Sequence, residues 1–157
     1  MNSTEQTAGR EPKKDNDLFF TCSLIEFIAR RTKNRRCDVV EKLGKARIAR
    51  IYELADIYHS DNIDDVCEEF ICEAEITEGD FDNVSECRYA LPSCWDIGKV
   101  YKRLILGISR ECGMDIPDAL QEAYHSFVSG KIDDYNSSFY YDAPQNILNA
   151  YLYQEIE

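Results

Sequence analysis

The stretch DLFFTCSLIEFIARRT, residues 17–32, decides the fold. Leu18, Cys22, Ile25 and Ala29 recur every three or four residues, and Phe20, Leu24, Phe27 and Ile28 widen the stripe, which is the periodicity of an α-helix. A helix apolar over so much of its girth is one that other elements surround. Asn16 or Asp17 is the expected N-cap, and the cationic run Arg30-Arg31-Thr32-Lys33-Asn34-Arg35-Arg36 closes the helix with charge that suits a C-terminal dipole.

The same period continues outward. A short helix is expected from about Cys37, with Val39, Val40 and Leu43 inward and Gly44 as its stop. A third covers Lys45 to His59, with Ile48, Ile51, Tyr52, Ala55 and Tyr58 on one face. After the turn Ser60-Asp61-Asn62, whose second or third residue serves as cap, a fourth helix turns Ile63, Val66, Cys67, Phe70, Ile71 and Ala74 inward. Its outer face is an acidic strip of Asp64, Asp65, Glu68, Glu69 and Glu73. Residues 75–93 are irregular, with Gly79, Asp80, Asn83 and Pro92 as turn formers and Phe81, Val84, Tyr89 and Leu91 as expected anchors. Ser93-x-x-Asp96 resembles a capping box. It opens a fifth helix that presents Ile97, Val100, Tyr101, Leu104, Ile105 and Ile108 and stops at Gly113. Gly98 inside that helix costs about 1 kcal/mol against alanine, which suggests a close approach of another backbone. Pro117 opens a sixth helix, with Leu120, Ala123, Tyr124 and Phe127 on its stripe and Gly130 as its end. An aromatic-rich loop, 131–143, precedes a last helix from Pro144 with Ile147, Leu148, Tyr151 and Leu152. No alternating strand pattern exceeds four or five residues. The expectation is an all-α, compact bundle of six or seven short helices. A polar, flexible tail over 1–15 precedes a single helical domain over 16–157, with 16–75 and 93–157 as candidate sub-bundles.

Charge and composition narrow the function. The chain has 157 residues, 44% apolar, with 30 acidic and 18 basic side chains, a net charge of −12. Such a balance argues against wrapping nucleic acid over the whole surface, which depends on neutralising phosphates. The charge is segregated. Residues 17–52 carry nine basic and four acidic groups, and residues 53–96 carry one basic and fourteen acidic. No apolar run is long enough to span a membrane, and the N-terminus has no apolar segment of a secretory signal, so a cytoplasmic location is expected. Seven cysteines, an odd number with no C-x-x-C spacing, then read as reduced thiols. The only two histidines, His59 and His125, lie far apart in sequence, so no metal site and no cofactor are expected. The sequons at Asn2, Asn83 and Asn136 carry no meaning without secretion.

The catalytic inventory is thin. G-x-S-x-G, both phosphate-binding glycine patterns and H-E-x-x-H are absent, and no local signature marks a Cys–His pair. His59 could be a base oriented by Asp56 or Asp61, yet its place near a helix end reads more simply as structural. No catalytic residue is assigned. Binding candidates are Arg30, Arg31, Lys33, Arg35 and Arg36, a basic patch for an acidic partner, together with Trp95, Lys99 and Arg103, residue types common at interface hot spots.

Phe20 to Ile71, with Ile25-Glu26, Val39-Val40, Leu43 and Tyr58-His59, resembles a small bacterial helical family of unknown function. That family is often encoded beside putative toxin-like proteins of the ADP-ribosyltransferase fold. The resemblance covers about a third of the chain, rests mainly on apolar spacing, and implies a small cytoplasmic partner protein, antitoxin-like, with no catalytic residue carried over. The basic run 30–36 and everything after residue 75 depart from it. The leading expectation is a non-enzymatic interaction module, an inhibitor or antitoxin-like protein that binds a protein partner through segregated charged surfaces. The alternative is a nucleic-acid-binding regulator using the basic run 30–50, including Arg47 and Arg50. A third reading, a small enzyme with His59 or a cysteine in a cleft between the fourth and fifth helices, has no motif behind it.

Overall fold

The computed structural model describes residues 13–154. The tail expected over 1–15 lies outside the described residues for positions 1–12, as does the sequon at Asn2. The described residues are all-α, with nine α-helices, one 3-10 turn and no strand. The helices are α1 Lys13–Thr32, α2 Arg36–Leu43, α3 Lys45–Glu53, α4 Ala55–His59, α5 Ile63–Glu73, α6 Cys94–Cys112, α7 Ile116–His125, α8 Phe127–Ile132 and α9 Pro144–Tyr153; the 3-10 turn is Phe139–Tyr141.

Helix α1 begins earlier than the expected cap at residue 16 or 17. Asp17 is not a cap but a buried carboxylate on the helix, held at 2.8 Å by Lys13 one turn before it. Lys13 also reaches Asp56 of α4 at 3.0 Å, which ties the helix start to the third and fourth helices' end of the fold. Two helices read as continuous are each broken. Leu54 leaves helical geometry at φ −107°, ψ 22° and separates α3 from α4, although the expected inward face survives: Ile48, Ile51 and Ala55 are buried. Ser126 is extended at φ −84°, ψ 163°, and its hydroxyl donates to the Ala123 carbonyl at 2.8 Å. A serine that satisfies a backbone acceptor locally competes with the helix, and here it ends α7. Gly130 is then no stop: it lies inside α8, because buried Val128 and Ile132 hold that turn onto the core.

Helix α1 is the hub. It packs along α6 over its length and also touches α2, α3, α4 and α5, while α6 carries α7 and α9 on its other sides. Leu18, Phe20, Cys22, Leu24, Ile25, Ile28 and Ala29 of α1 and Ile97, Tyr101, Leu104, Ile105 and Ile108 of α6 belong to one contiguous apolar cluster. Burying each of the larger of these stabilises the fold by roughly 1.5–3 kcal/mol. The mid-helix glycine explains how the two helices approach. A Cβ built on Gly98 would lie 2.0 Å from Ser23 Oγ and 2.9 Å from the Ser23 backbone, so only hydrogen fits at that crossing. The expected capping box is present, with Ser93 Oγ accepting from Asp96 N–H and Asp96 Oδ2 accepting from Ser93 N–H, both at 2.9 Å.

The loop 75–93 departs from the expected anchoring. Its backbone is held along the end of α1, Gly79 N–H donating to Thr32 O at 2.8 Å and Phe81 N–H to Lys33 O at 2.9 Å. Ile76 and Asn83 are buried, and the Asn83 side chain donates to Asp133 O at 2.8 Å. Tyr89 and Leu91, expected as anchors, are instead 67% and 45% exposed. Once Ile76, Asn83 and the backbone ties hold the loop, its last residues are free to face solvent.

Candidate binding groove

The basic run does not form an open patch. Arg36 is fully buried and grips Glu26 with two contacts, Nε to Oε1 at 2.9 Å and Nη2 to Oε2 at 2.7 Å, while its Nη1 donates to Asn34 O at 3.1 Å. Arg30 donates to the same carboxylate at 2.8 Å and to Pro92 O at 2.7 Å. The Tyr135 hydroxyl donates to Glu26 as well. Burial alone would push the Glu26 carboxyl up, but the Arg36 guanidinium outweighs it and holds the group below its ordinary value. Burial pushes Asp133 up to about 7, the Arg36 charge restraining the rise, and the Tyr101 hydroxyl donates to this carboxyl at 2.8 Å.

The remaining cations of the run reach outward to the acidic segment. Arg31 bridges Asp64 at 2.6 Å and Glu68 at 3.1 Å on α5, Lys33 meets Glu78 at 3.7 Å, and Arg47 and Arg50 of α3 both lie 2.7 Å from Glu73. Arg35 is exposed and rests on the Phe81 ring, 5.0 Å from its centroid. Four cations of the positive segment thus pair with four carboxylates of the negative one, fastening α1 and α3 to α5. Of the acidic strip, Asp65 and Glu69 stay exposed and outside these pairs.

The other binding candidates divide. Trp95 is half-buried and packs against α1, with the Phe19 and Phe27 rings 5.5 Å away and His59 at 5.8 Å. Lys99 and Arg103 are exposed on the outer face of α6, opposite the side that carries Ile97, Tyr101 and Ile108 into the core. Both line a solvent-open groove of about 560 Å³. Val100 and Leu104 form its floor, Leu91 and Pro92 one wall, and the turn from Tyr140 to Pro144, with Ile147 of α9, the other. Tyr141, on that second wall, is 69% exposed.

Two carboxylates also face the groove, and both accept backbone N–H groups. Asp96 caps α6 through Ser93 N–H, and Asp142 accepts from Ala143 N–H at 2.7 Å and Asn146 Nδ2 at 3.0 Å. Among the described residues neither Lys99 nor Arg103 forms an ion pair. The sequence pointed to Lys99 and Arg103 through residue type alone. It missed Tyr141 and Leu91, whose only signal was an aromatic-rich loop and an isolated leucine in an irregular stretch.

Three cysteines and both histidines are held in structural contacts, while Cys72 and Cys112 are exposed. Burial pushes the thiols of Cys22 and Cys67 up to about 12 and that of Cys94 up to about 11, which removes their nucleophilic form at neutral pH. The His59 ring stacks between Phe20 at 5.0 Å and Trp95 at 5.8 Å, and Asp56, one of the two carboxylates expected to orient it, pairs with Lys13. His125 sits on the Gln121 carbonyl and 3.2 Å from Glu41. Among the described residues no three His, Cys, Asp or Glu side chains gather as metal ligands, and no helix is long and apolar enough to cross a membrane. Compared with protein-family models, with curated proteins and with solved structures, the chain matches none.

Proposed function

We propose that this protein is a non-enzymatic interaction module, an inhibitor or antitoxin-like protein that works by docking on a protein partner in the cytoplasm. The observation that carries the reading is the α6 groove, where two cations that form no ion pair among the described residues stand beside exposed tyrosine and leucine. Arginine, tyrosine and apolar side chains grouped in a concavity are the chemistry of interface hot spots. The raised thiols and the stacked His59 support a role without catalysis. The resemblance over residues 20–71 to a family encoded beside toxin-like proteins points the same way, as do the exposed Asp65 and Glu69 on α5, which offer a second, acidic contact.

The nucleic-acid alternative has no observation of its own, since Arg30, Arg31, Arg36, Arg47 and Arg50 already hold carboxylates of this chain. Capture from a native lysate on the immobilised full chain, with half of the sample nuclease-treated, tests the reading. A protein partner that survives nuclease and weakens at high salt supports it. Nucleic acid alone in the eluate overturns it.

A further inference from the structure

We infer that Asp133 and Arg35 form a pH-operated latch. Once Asp133 gives up its proton, the Arg35 guanidinium leaves the Phe81 ring and pairs with the carboxylate, tying the start of α2 to the end of α8. The inference is independent of the interaction reading and concerns a moving part of the fold. Asp133 is 4% exposed. Among the described residues its carboxyl forms no ion pair and accepts one hydrogen bond, from the Tyr101 hydroxyl at 2.8 Å. An ionised carboxylate in so dry a place is costly unless a cation reaches it, so the group keeps its proton or recruits a partner. The proton has a way out, because Asp133 lines two surface cavities of about 200 and 220 Å³.

Arg35 is the cation placed to answer. It lines both of these cavities, it is exposed, and it forms no ion pair among the described residues. Its guanidinium rests on the Phe81 ring, 5.0 Å from the centroid. Gly130 also borders both cavities, and a Cβ built on it would meet nothing within 4 Å, so the space beside the two side chains is open. A cation over a ring at an exposed site is a weak tie. A charge-assisted bond to a carboxylate is stronger, and it exists only once the carboxyl is ionised.

The other cations around Asp133 are already held. Arg36 of α2 grips Glu26 of α1 through two contacts, and His125 of α7, which lines the second cavity, lies between the Gln121 carbonyl and Glu41. The remaining titratable groups that face Asp133 are Glu26 itself, Cys37 of α2, Tyr101 of α6, Tyr124 of α7, Asp134 and Tyr135 after α8, and Glu86 of the 75–93 loop. Helix α9 and the 3-10 turn bring no side chain to either cavity. Burial lifts the Asp133 carboxyl to about 7; the Arg36 charge restrains the rise, Glu26 adds to it, and Arg35 restrains it further. The latch is therefore open below neutral pH and closed above it.

NMR on the full chain, following the Asp133 carboxyl carbon, the Arg35 Nε–H and the Phe81 ring protons against pH, tests the latch. The carboxyl titrates between about pH 6 and 8, and the Arg35 and Phe81 signals shift with the same midpoint. Arg35→Gln removes the pairing charge and raises the Asp133 midpoint by at least about half a pH unit. Arg35 is exposed, and circular dichroism confirms that this variant folds. His125→Gln keeps the Arg35 shift, which separates the latch from titration of the histidine in the second cavity. An Asp133 carboxyl that titrates in the ordinary aspartate range overturns the inference, as does a midpoint unmoved by Arg35→Gln. So does an Arg35 signal that stays constant through the Asp133 transition, or an Arg35 shift that His125→Gln abolishes.

Discussion

Two places in this molecule bring arginine and tyrosine together, and they do opposite things. At the end of α1, Arg30, Arg36 and Tyr135 converge on Glu26 in the interior. On α6, Arg103 and Lys99 face Tyr141 across an open groove with no ion pair of their own among the described residues. The residue types are nearly the same; the difference is that Glu26 is bonded directly by its cations, whereas Lys99 and Arg103 pair with neither Asp96 nor Asp142 of the groove. A buried carboxylate needs its cations because an uncompensated charge in the interior is costly, so the inner cluster is a structural joint between α1, α2 and the loop after α8. Among the described residues the outer pair makes no side-chain hydrogen bond or ion pair.

Breaking the inner joint gives the largest effect. Arg36→Ala leaves Glu26 buried with a poorer set of donors, and a loss of roughly 3–5 kcal/mol in urea unfolding is expected, as for other buried pairs broken on one side. A loss below that of an ordinary surface substitution would mean that Arg30 and Tyr135 suffice and that the joint is redundant. Gly98→Ala comes next. Alanine favours a helix over glycine by about 1 kcal/mol, but here its methyl meets the Ser23 backbone, and a net loss of roughly 1–3 kcal/mol is expected from overpacking. Gly107→Ala, where the neighbour is the flexible tip of Leu148, costs less in the same assay. Equal costs at the two glycines would remove the α1–α6 crossing as the reason for Gly98.

A pH comparison sharpens the contrast further. Asp133 titrates at about 7 in the fold against 3.8 ordinarily. A carboxyl raised on folding holds its proton more tightly in the folded chain, so its contribution is most favourable at low pH and declines as pH climbs from about 4 to about 7. Asp133→Asn removes that titration, and its stability relative to the wild type rises over this window by on the order of 1 kcal/mol or more. A difference that stays flat between pH 4 and 8 would show that Asp133 is ionised throughout. The smallest effect on the fold belongs to the groove. Lys99→Glu/Arg103→Glu leaves the unfolding midpoint where it was, because exposed residues that form no ion pair among the described residues support little. A clear drop in the midpoint would place these cations with the structural set and end the contrast.

The all-α class, the inward faces of α1, α5, α6 and α9 and the Ser93–Asp96 capping box were readable in the sequence, since each is set by residues within a turn or two of one another; a glycine inside a helix signalled the close approach at Gly98, but not that Ser23 makes it. The breaks at Leu54 and Ser126 were not readable, because periodicity carries through a break when the buried face continues across it. Lys99 and Arg103 stood out by type, yet nothing local said that Leu91 and Tyr141 would rise on either side of them. Local spacing fixes which face of a helix turns inward, and this the sequence determined on its own. Which charges meet was decided only by the tertiary structure. Attraction between side chains depends on distance in space, and Glu26 meets Tyr135 across 109 positions of chain. The segregation of positive and negative residues along the sequence, which suggested two docking patches, is what lets the segments clasp each other. Lys99 and Arg103 stood out by residue type, but only the tertiary structure shows that they stay outside that clasp and line a groove.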